Sequence, residues 1–297
     1  MAQALIFPGQ AAQFVGMGSK ITNLRSKAKA LINQADDILG YKLSEIMYQG
    51  PEELLKETKY TQPAVFVHSY IVYDAHKDSL SPSAVAGHSL GEITACVAAG
   101  VMSYEDGLRL VQVRAEAMQY ACEHNPSTMA AVLGLEDGIV ESICNNIEGT
   151  VVAANYNCPG QLVISGTSEA IHQAIVAAKE AGARRALEIP VGGAFHSPLM
   201  EPAVEKFKTV IEGMDFNDAN IPVYQNVNAM ATQDAESIKT NLIAQITSPV
   251  RWTKSIQEMI SDGVGEFVEV GGKGKVLMGM VRKISREVEI RQWQEEV

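Results

Sequence analysis

The sequence predicts a mixed α/β fold in which a large domain carries a small inserted one. Short apolar segments with the length of buried strands alternate with helix-forming segments along the 297 residues. Between residues 126 and 190, the predicted elements follow the order β-α-β-β-α-β, which is the ferredoxin-like arrangement. We therefore expect a ferredoxin-like small subdomain at 126–190, inserted into a large domain made of 1–125 and 191–297. A cleft between the two is where a ligand is expected.

The composition narrows the class of protein. Hydrophobic residues make up 46% of the chain, which is enough for a sizeable core. The formal net charge of −11 argues against a nucleic-acid partner, which would need a basic surface. The four cysteines form no C-x-x-C pair, so neither a zinc site nor a disulfide framework is indicated. With no leader and no apolar run of membrane length, we expect a soluble cytoplasmic protein that binds no metal and no membrane.

The first part of the large domain combines strands with amphipathic helices. Pro8-Gly9 ends the first strand, and Gln62-Pro63 precedes a helix. Apolar residues at helical spacing from Leu108 to Met118 predict one buried helix face. The predicted elements are a strand at Ala4–Phe7, helices at Lys20–Leu39, Glu52–Lys59 and Ala64–Lys77, a strand at Ser83–Gly87, and helices at Ile93–Ala99 and Leu108–Cys122.

The remaining elements are predicted in the same way from apolar spacing and turn residues. The subdomain has strands at Ser127–Leu135, Thr150–Asn155, Gln161–Ser165 and Arg184–Ile189, with helices at Glu136–Asn146 and Ser168–Ala181. After it come helices at Leu199–Ile211 and Ile238–Thr247, a helix that ends near Ser261, strands at Pro222–Val227 and Phe267–Val270, and a final helix that starts at Gly271–Lys275.

The pentapeptide Gly87-His88-Ser89-Leu90-Gly91 is the strongest motif in the chain. It follows an apolar strand and precedes helix-forming residues, which is the context of a nucleophile elbow. The two glycines let strand and helix approach closely while Ser89 takes a strained backbone conformation. The Leu90 N–H, at the helix N-terminus, is a candidate oxyanion donor. The alternative is an ordinary turn, because G-x-S-x-G is a short pattern.

Three further residues are candidates for the same site. Gln10 follows the first strand, whose C-terminal end should lie near Ser89, so its N–H is a second candidate oxyanion donor; a surface turn is the alternative. His196 lies in a glycine-containing loop just before a helix, where a base could face the cleft. Arg114 lies beside the apolar stripe of its helix, so it either reaches a cleft or forms a surface salt bridge.

The C-terminal part of the chain is basic. Gly271–Lys275 at a helix N-terminus could hold a phosphate, although it lacks the full P-loop pattern, so ATP binding is not indicated. Together with Arg282, Lys283 and Arg286, this region is the best candidate for contact with an acidic partner. A solvated helix end is the alternative interpretation.

Taken together, these motifs resemble the malonyl-CoA:acyl carrier protein transacylase family. The resemblance extends over nearly the whole chain in the family's order and spacing. The matching segments are Phe7–Gln10, Gln62–Ala64, Gly87–Glu92, Arg114, Asn155–Gly160, Ala194–Ser197 and Ser248–Trp252.

The resemblance implies an α/β-hydrolase-like large domain with the ferredoxin-like subdomain inserted. It also implies transfer of malonyl from malonyl-CoA to the phosphopantetheine thiol of acyl carrier protein through a malonyl-serine intermediate, for fatty acid or polyketide synthesis. No cofactor is implied beyond the coenzyme A thioester that serves as substrate, and we expect a monomer. The implied site is Ser89 as nucleophile, His196 as general base, Gln10 and Leu90 as oxyanion donors, Arg114 for the malonyl carboxylate, and the Gln245 backbone carbonyl orienting the histidine.

Further details bear on the chemistry. Phe195, before the histidine, favours malonyl over methylmalonyl by analogy with polyketide acyltransferases. The sequence departs from the family at Ala11, where glycine is common, and no carboxylate is apparent behind the histidine. Two other functions use the same features: a thioesterase or acyl hydrolase with the same serine and histidine, and a non-catalytic scaffold that docks carrier proteins. Arg114 argues against the hydrolase, because it suits a dicarboxylic acyl group.

Overall fold

A computed structural model describes residues 1–295 as two β-sheets with helices packed against them. The strands are β1 (Ala2–Phe7), β2 (Ala84–Gly87), β3 (Ser127–Leu133), β4 (Val151–Cys158), β5 (Gln161–Thr167), β6 (Arg185–Ile189), β7 (Val223–Tyr224), β8 (Ala231–Thr232), β9 (Val264–Val270) and β10 (Glu289–Trp293). The helices are α1 (Ser19–Leu24), α2 (Ser26–Leu39), α3 (Leu43–Gln49), α4 (Glu52–Leu55), α5 (Thr58–His76), α6 (Gly91–Ala98), α7 (Tyr104–His124), α8 (Asp137–Asn146), α9 (Ser168–Glu180), α10 (Glu201–Glu212), α11 (Ala235–Ala244), α12 (Trp252–Ser261) and α13 (Val276–Ile284).

The larger sheet has the strand order β10-β9-β1-β2-β7-β8. Its pairings are parallel except for that of β7 with β8. β1 and β2 pair in a register that sets Phe7 opposite Gly87. The two strands therefore end at the same edge of the sheet, so the loops that follow them, with Gln10 and Ser89, leave the sheet side by side.

The smaller sheet is antiparallel with the order β4-β5-β3-β6, and α8 and α9 pack against it. Its own apolar core includes Val132, Ile164 and Ile171. This is the ferredoxin-like order, so the predicted fold class is confirmed. The exact division of the chain at 126 and 190 stays a prediction. The Val250 N–H donates to the Ala154 carbonyl at 2.8 Å, and the Tyr156 N–H donates to the Val250 carbonyl at 2.9 Å. These bonds connect β4 of the smaller sheet to the segment just before α12.

Several predicted helix boundaries were wrong in the N-terminal part, and the helix expected at Glu52–Lys59 ends at Leu55. The helix expected at Lys20–Leu39 is interrupted at Arg25, whose backbone is extended, so α1 and α2 are separate. The helix expected to start at Ala64 starts at Thr58 and contains Pro63. Proline cannot donate to the carbonyl four residues before it, and the Tyr41 hydroxyl donates to that Lys59 carbonyl instead, at 3.4 Å.

Element boundaries in the C-terminal part of the chain also differ from the prediction, and local backbone geometry explains the differences. The strand expected at Pro222–Val227 pairs only at Val223–Tyr224, because the next residues turn toward the elbow. The final helix starts at Val276, since Gly271–Lys275 contains four residues with positive φ. Three elements were not predicted from the sequence: α3, β8 and β10. β8 has only two residues, and β10 is a charged edge strand without clear alternation.

Membrane-spanning helices and metal-binding clusters are both absent from the described part of the chain. In residues 1–295, no helix combines the length and the apolar character needed to cross a membrane. The same residues hold no group of three or more histidine, cysteine, aspartate or glutamate side chains placed to bind a metal ion. All four cysteines are buried free thiols.

Candidate active site

Ser89 stands on a sharp turn between β2 and α6 with φ of +52°. The turn requires both glycines: a Cβ on Gly87 would lie 1.9 Å from the Gly91 carbonyl carbon, and one on Gly91 would lie 2.0 Å from the Phe7 oxygen. The Asn226 side chain fastens the turn, because it accepts from the Ser89 N–H and donates to the Gly87 carbonyl, both at 2.7 Å. Strain at Ser89 is thus held by the surrounding structure.

His196 is in hydrogen-bond contact with this serine. The distance from Ser89 Oγ to His196 Nε2 is 2.7 Å, and His196 Nδ1 lies 2.9 Å from the backbone carbonyl of Gln245. A carbonyl only accepts, so Nδ1 carries the proton and Nε2 is free to accept from the serine hydroxyl. His196 is 2% exposed, and burial together with nearby Arg114 lowers its pKa to about 3. The imidazole is therefore neutral at physiological pH.

The loop that carries His196 is held by a hydrogen bond from the small sheet. His196 itself has φ of +58°. Phe195, immediately before it, accepts a 2.5 Å hydrogen bond on its carbonyl from Ser165 of β5. The small sheet therefore contributes directly to the position of the histidine.

Arg114 reaches the same serine from α7. It is 1% exposed, and its Nη2 donates to Ser89 Oγ at 3.1 Å and to Gln245 Oε1 at 2.9 Å, while Nη1 donates to Gln62 Oε1 at 2.8 Å. Burial lowers its pKa to about 10, so it remains a cation at neutral pH. Across residues 1–295, no carboxylate forms an ion pair with it. The surface salt bridge considered as an alternative is thereby excluded.

The loop after β1 approaches the elbow as expected. A Cβ on Gly9 would lie 2.5 Å from the His88 carbonyl oxygen, and the Gln10 side chain accepts from Gln62 Nε2 at 3.2 Å. Leu90 is fully buried at the start of α6. Ala11 has φ of +74°, so it adopts the left-handed conformation that glycine adopts more readily than alanine.

Three polar residues of the site were given no role from the sequence: Gln62, Asn226 and Glu92. Glu92 is fully buried and accepts from the Asn226 N–H at 2.8 Å and from Gln245 Nε2 at 3.0 Å. Each of these contacts joins residues from distant parts of the chain. The one sequence signal for such residues is their place in a motif, since Gln62 and Glu92 both lie in segments that match the family.

The basic end lies apart from the serine cluster. Arg282 and Lys283 are exposed in the last turn of α13, and Lys283 Nζ lies 3.3 Å from Gln161 Oε1 at the β4–β5 hairpin. Arg282 and Arg286 line a cleft of about 410 Å³. Among residues 1–295, none of these cations contacts Ser89, His196 or Arg114.

Comparison with known proteins defines the class of this protein. Residues 4–293 match the acyl transferase domain family. A Bacillus subtilis (strain 168) protein named malonyl CoA-acyl carrier protein transacylase is 43% identical over 289 residues, which covers 96% of this chain and 91% of that protein. A similarly named Staphylococcus aureus (strain MRSA252) protein is 40% identical over 97% of this chain and 94% of its own length. The chain belongs to the malonyl CoA-acyl carrier protein transacylase family, as the sequence motifs predicted.

Solved structures agree with this assignment. The malonyl CoA-acyl carrier protein transacylase of Coxiella burnetii superposes with a TM-score of 0.96 at 34% identity, covering all (100%) of this chain and 95% of that one. A malonyl-transacylase in complex with its type II PKS acyl-carrier protein gives a TM-score of 0.95 at 36% identity, covering 98% of this chain and 96% of that one. These likenesses extend over both sheets.

Proposed function

We propose that this protein transfers the malonyl group from malonyl-CoA to the phosphopantetheine thiol of acyl carrier protein, through an ester on Ser89. One observation carries the proposal. Ser89 Oγ lies 2.7 Å from the imidazole of His196 and 3.1 Å from the guanidinium of Arg114. The nucleophile is therefore in hydrogen-bond contact with both a base and a cation. A thioester with a distal carboxylate is the substrate that this pair suits, and the named relatives support the choice of malonyl.

In the first half-reaction, Ser89 Oγ attacks the thioester carbonyl carbon while His196 Nε2 takes the hydroxyl proton. The Gln245 carbonyl accepts from Nδ1–H and favours the required tautomer. The tetrahedral oxyanion is assigned to the Leu90 and Gln10 N–H groups. When the carbon–sulfur bond breaks, His196 returns the proton to the coenzyme A thiolate, and the malonyl ester remains on Ser89.

In the second half-reaction the carrier thiol replaces coenzyme A. Its proton passes to His196 Nε2, the sulfur attacks the ester carbonyl, and the proton returns to Ser89 Oγ as the carbon–oxygen bond breaks. The same groups serve both directions, so the two substrates use one site in turn.

Arg114 is assigned to the malonyl carboxylate. Its present partners, Gln62 and Gln245, are neutral amides, so a carboxylate can approach the guanidinium without displacing an anion. An acetyl group would leave this buried cation without a charged partner, which disfavours acetyl-CoA. Phe195, 5% exposed beside His196, is assigned to selection against the extra methyl of methylmalonyl.

Several further assignments complete the proposal. The protein works in the cytoplasm as a monomer, needs no cofactor and supplies malonyl units to fatty acid or polyketide synthesis. The catalytic domain comprises 1–125 and 191–297, with the subdomain at 126–190. The basic end, with Lys275 and Arg282, docks the acidic carrier protein. Such a basic patch is unusual on a chain whose formal net charge is −11.

Initial-rate kinetics test the proposed reaction. Rates measured at several fixed concentrations of malonyl-CoA and phosphopantetheinylated carrier protein should give parallel double-reciprocal lines, as expected for a substituted enzyme. Without carrier protein, free coenzyme A should be released only to about one equivalent of enzyme. Continued release of coenzyme A without carrier would show a hydrolase instead.

A further inference from the structure

Glu92 is a buried carboxylate at the centre of the site, yet it contacts neither Ser89 Oγ nor the His196 ring. It lies in the first turn of α6 and is 0% exposed. Its Oε2 accepts from the Asn226 N–H at 2.8 Å and from Gln245 Nε2 at 3.0 Å, and its Oε1 accepts from Gln225 Nε2 at 3.2 Å. All three partners are donors, so the contacts suit the ionised carboxylate.

The Gln245 side chain links Glu92 to the reacting groups. Its Nε2 donates to Glu92 and to the Ser89 carbonyl, at 3.0 and 3.1 Å, while its Oε1 accepts from Arg114 Nη2 at 2.9 Å. A flipped amide would put its oxygen against the carboxylate and its NH₂ against the guanidinium, and both contacts would be repulsive. Glu92 and Arg114 together therefore allow one orientation of Gln245, whose backbone carbonyl faces His196 Nδ1.

Glu92 also supports the nucleophile turn through Asn226. The backbone N–H of Asn226 is held by Glu92, and the side chain of Asn226 is bonded to Ser89 N–H and the Gly87 carbonyl. One carboxylate thus holds the residue that fastens the serine and the residue that orients the base. Neither contact is with a reacting atom.

The charge of Glu92 fits the same arrangement. A carboxylate in direct contact with Arg114 would compete with the substrate carboxylate for the guanidinium. The intervening amide keeps Glu92 close enough to offset the buried cation, while the guanidinium itself contacts amide oxygens and the Ser89 hydroxyl, which are neutral.

We propose that Glu92 is a positioning residue that acts through Gln245 and Asn226 to align the His196 base, the Ser89 turn and the Arg114 cation. The inference rests on the proposed function, because it requires the same Ser89–His196 pair. It adds a residue that supports this pair without contacting the reacting atoms. If Glu92 were protonated, its O–H would be a fourth donor beside the three donors that now contact the carboxylate, and at least one of these contacts would be lost. Alignment therefore requires the carboxylate form.

The ionisable groups around Glu92 define a pH test. Burial raises the pKa of Glu92 to about 7, and Arg114 is the nearest cation. Cys96, on the same helix, has a thiol pKa raised well above its usual value, and His196 has a pKa near 3, so neither titrates near neutrality. An acid limb near pH 7 in the reactivity of Ser89 is therefore expected to come from Glu92.

The test measures the labelling rate of Ser89 by a fluorophosphonate between about pH 5.5 and 8.5, by intact mass. This probe reports serine reactivity without malonyl-CoA. The wild-type rate should fall roughly tenfold per pH unit below about pH 7. Glu92→Gln should label at least about tenfold more slowly at pH 8 and lose the acid limb, because the charge and one acceptor are gone. Glu269→Gln changes another fully buried glutamate, in β9, and should keep the wild-type rate and limb.

The outcomes separate the two proposals. A folded Glu92→Gln protein, checked by circular dichroism, that keeps the wild-type rate or acid limb would overturn the role of Glu92. If this variant does not fold, the wild-type profile decides, since a rate that stays flat down to pH 5.5 would contradict the proposal. Failure of wild-type enzyme to take malonyl from malonyl-CoA would overturn the proposed function alone, because the labelling rates would still report on Glu92.

Discussion

Arg114 Nη2 lies 3.1 Å from Ser89 Oγ, so the nucleophile contacts a buried cation as well as the histidine. Under the proposed function, the guanidinium that binds the malonyl carboxylate lies beside the serine oxygen that attacks the acyl carbon. A three-carbon diacid can span that distance, with one carboxyl carbon at Ser89 and the other carboxylate at the guanidinium. The proposed role of Arg114 would therefore couple recognition of the acyl group to its position for attack.

Replacing Arg114 should change acyl selectivity. In Arg114→Ala, we expect kcat/KM for malonyl-CoA to fall by about 100-fold or more, since two charge-assisted hydrogen bonds are lost, while the value for acetyl-CoA falls much less. Release of coenzyme A with each donor and saturating carrier protein measures the ratio. Arg109→Ala, an exposed arginine on the same helix, is the control. An unchanged malonyl-to-acetyl ratio would remove Arg114 from carboxylate recognition.

His196 should be required for formation of the ester. In His196→Ala, acylation by malonyl-CoA should slow by a factor of about 10² to 10⁴, because within residues 1–295 His196 Nε2, at 2.7 Å, is the side-chain base in contact with the serine hydroxyl. Rapid quenching followed by intact mass measures the rate. His172→Ala, an exposed histidine of α9, should acylate normally. A near-normal rate in His196→Ala would place the base elsewhere.

The basic end should matter for the protein substrate only. Arg282→Glu, like Lys275→Glu, should raise KM for carrier protein several-fold and leave KM for malonyl-CoA unchanged, since the charge reversal repels an acidic partner at a distance from Ser89. Steady-state rates with each substrate varied measure both values. Lys179→Glu, an exposed lysine on α9, is the matched charge reversal. Equal effects on the two substrates would exclude docking at this surface.

Glu295 should stabilise the fold in a pH-dependent way. Its carboxylate accepts from the N–H groups of Gly18 and Lys20, at 2.7 and 2.8 Å, and from buried His68 Nε2 at 3.1 Å. Burial opposes ionisation, but these donors outweigh it and the pKa is lowered. The stabilisation is therefore present above the unfolded-state pKa of about 4.3 and is lost as pH falls through the lower folded-state value.

Urea unfolding tests this contribution. Glu295→Gln should lower the free energy of unfolding by about 2 kcal/mol near pH 7, and the difference from wild type should shrink as the pH falls below about 4. Glu236→Gln, which alters an exposed side chain, should have little effect at either pH. A Glu295→Gln protein as stable as wild type near pH 7 would contradict the assignment.

Local patterns were sufficient for much of the fold. The elbow was predictable because Gly87 and Gly91 lie within two residues of Ser89. The residues that meet the steric requirements of the turn are therefore within five consecutive positions. The ferredoxin-like order was predictable because its strands and helices have clear apolar spacing. Pro63 misled the prediction, since the carbonyl that it leaves free is satisfied by Tyr41, a contact between distant residues.

The support of the site was not predictable in the same way. Glu92 stands inside a recognised motif, but its partners Gln225 and Gln245 lie more than a hundred positions later. Nothing in the spacing of these residues shows that they meet. The sequence shows no carboxylate at a defined place behind His196, and in the structure Nδ1 faces the backbone carbonyl of Gln245.

The most direct test of the central claim is intact-protein mass after mixing with malonyl-CoA, followed by buffer or phosphopantetheinylated carrier protein. We expect one malonyl group on the wild-type protein, mapped to Ser89 by peptide mass, absent in Ser89→Ala, stable in buffer and transferred to the carrier. An adduct on another residue, or one lost to water as fast as to the carrier, would contradict a malonyl transfer through Ser89.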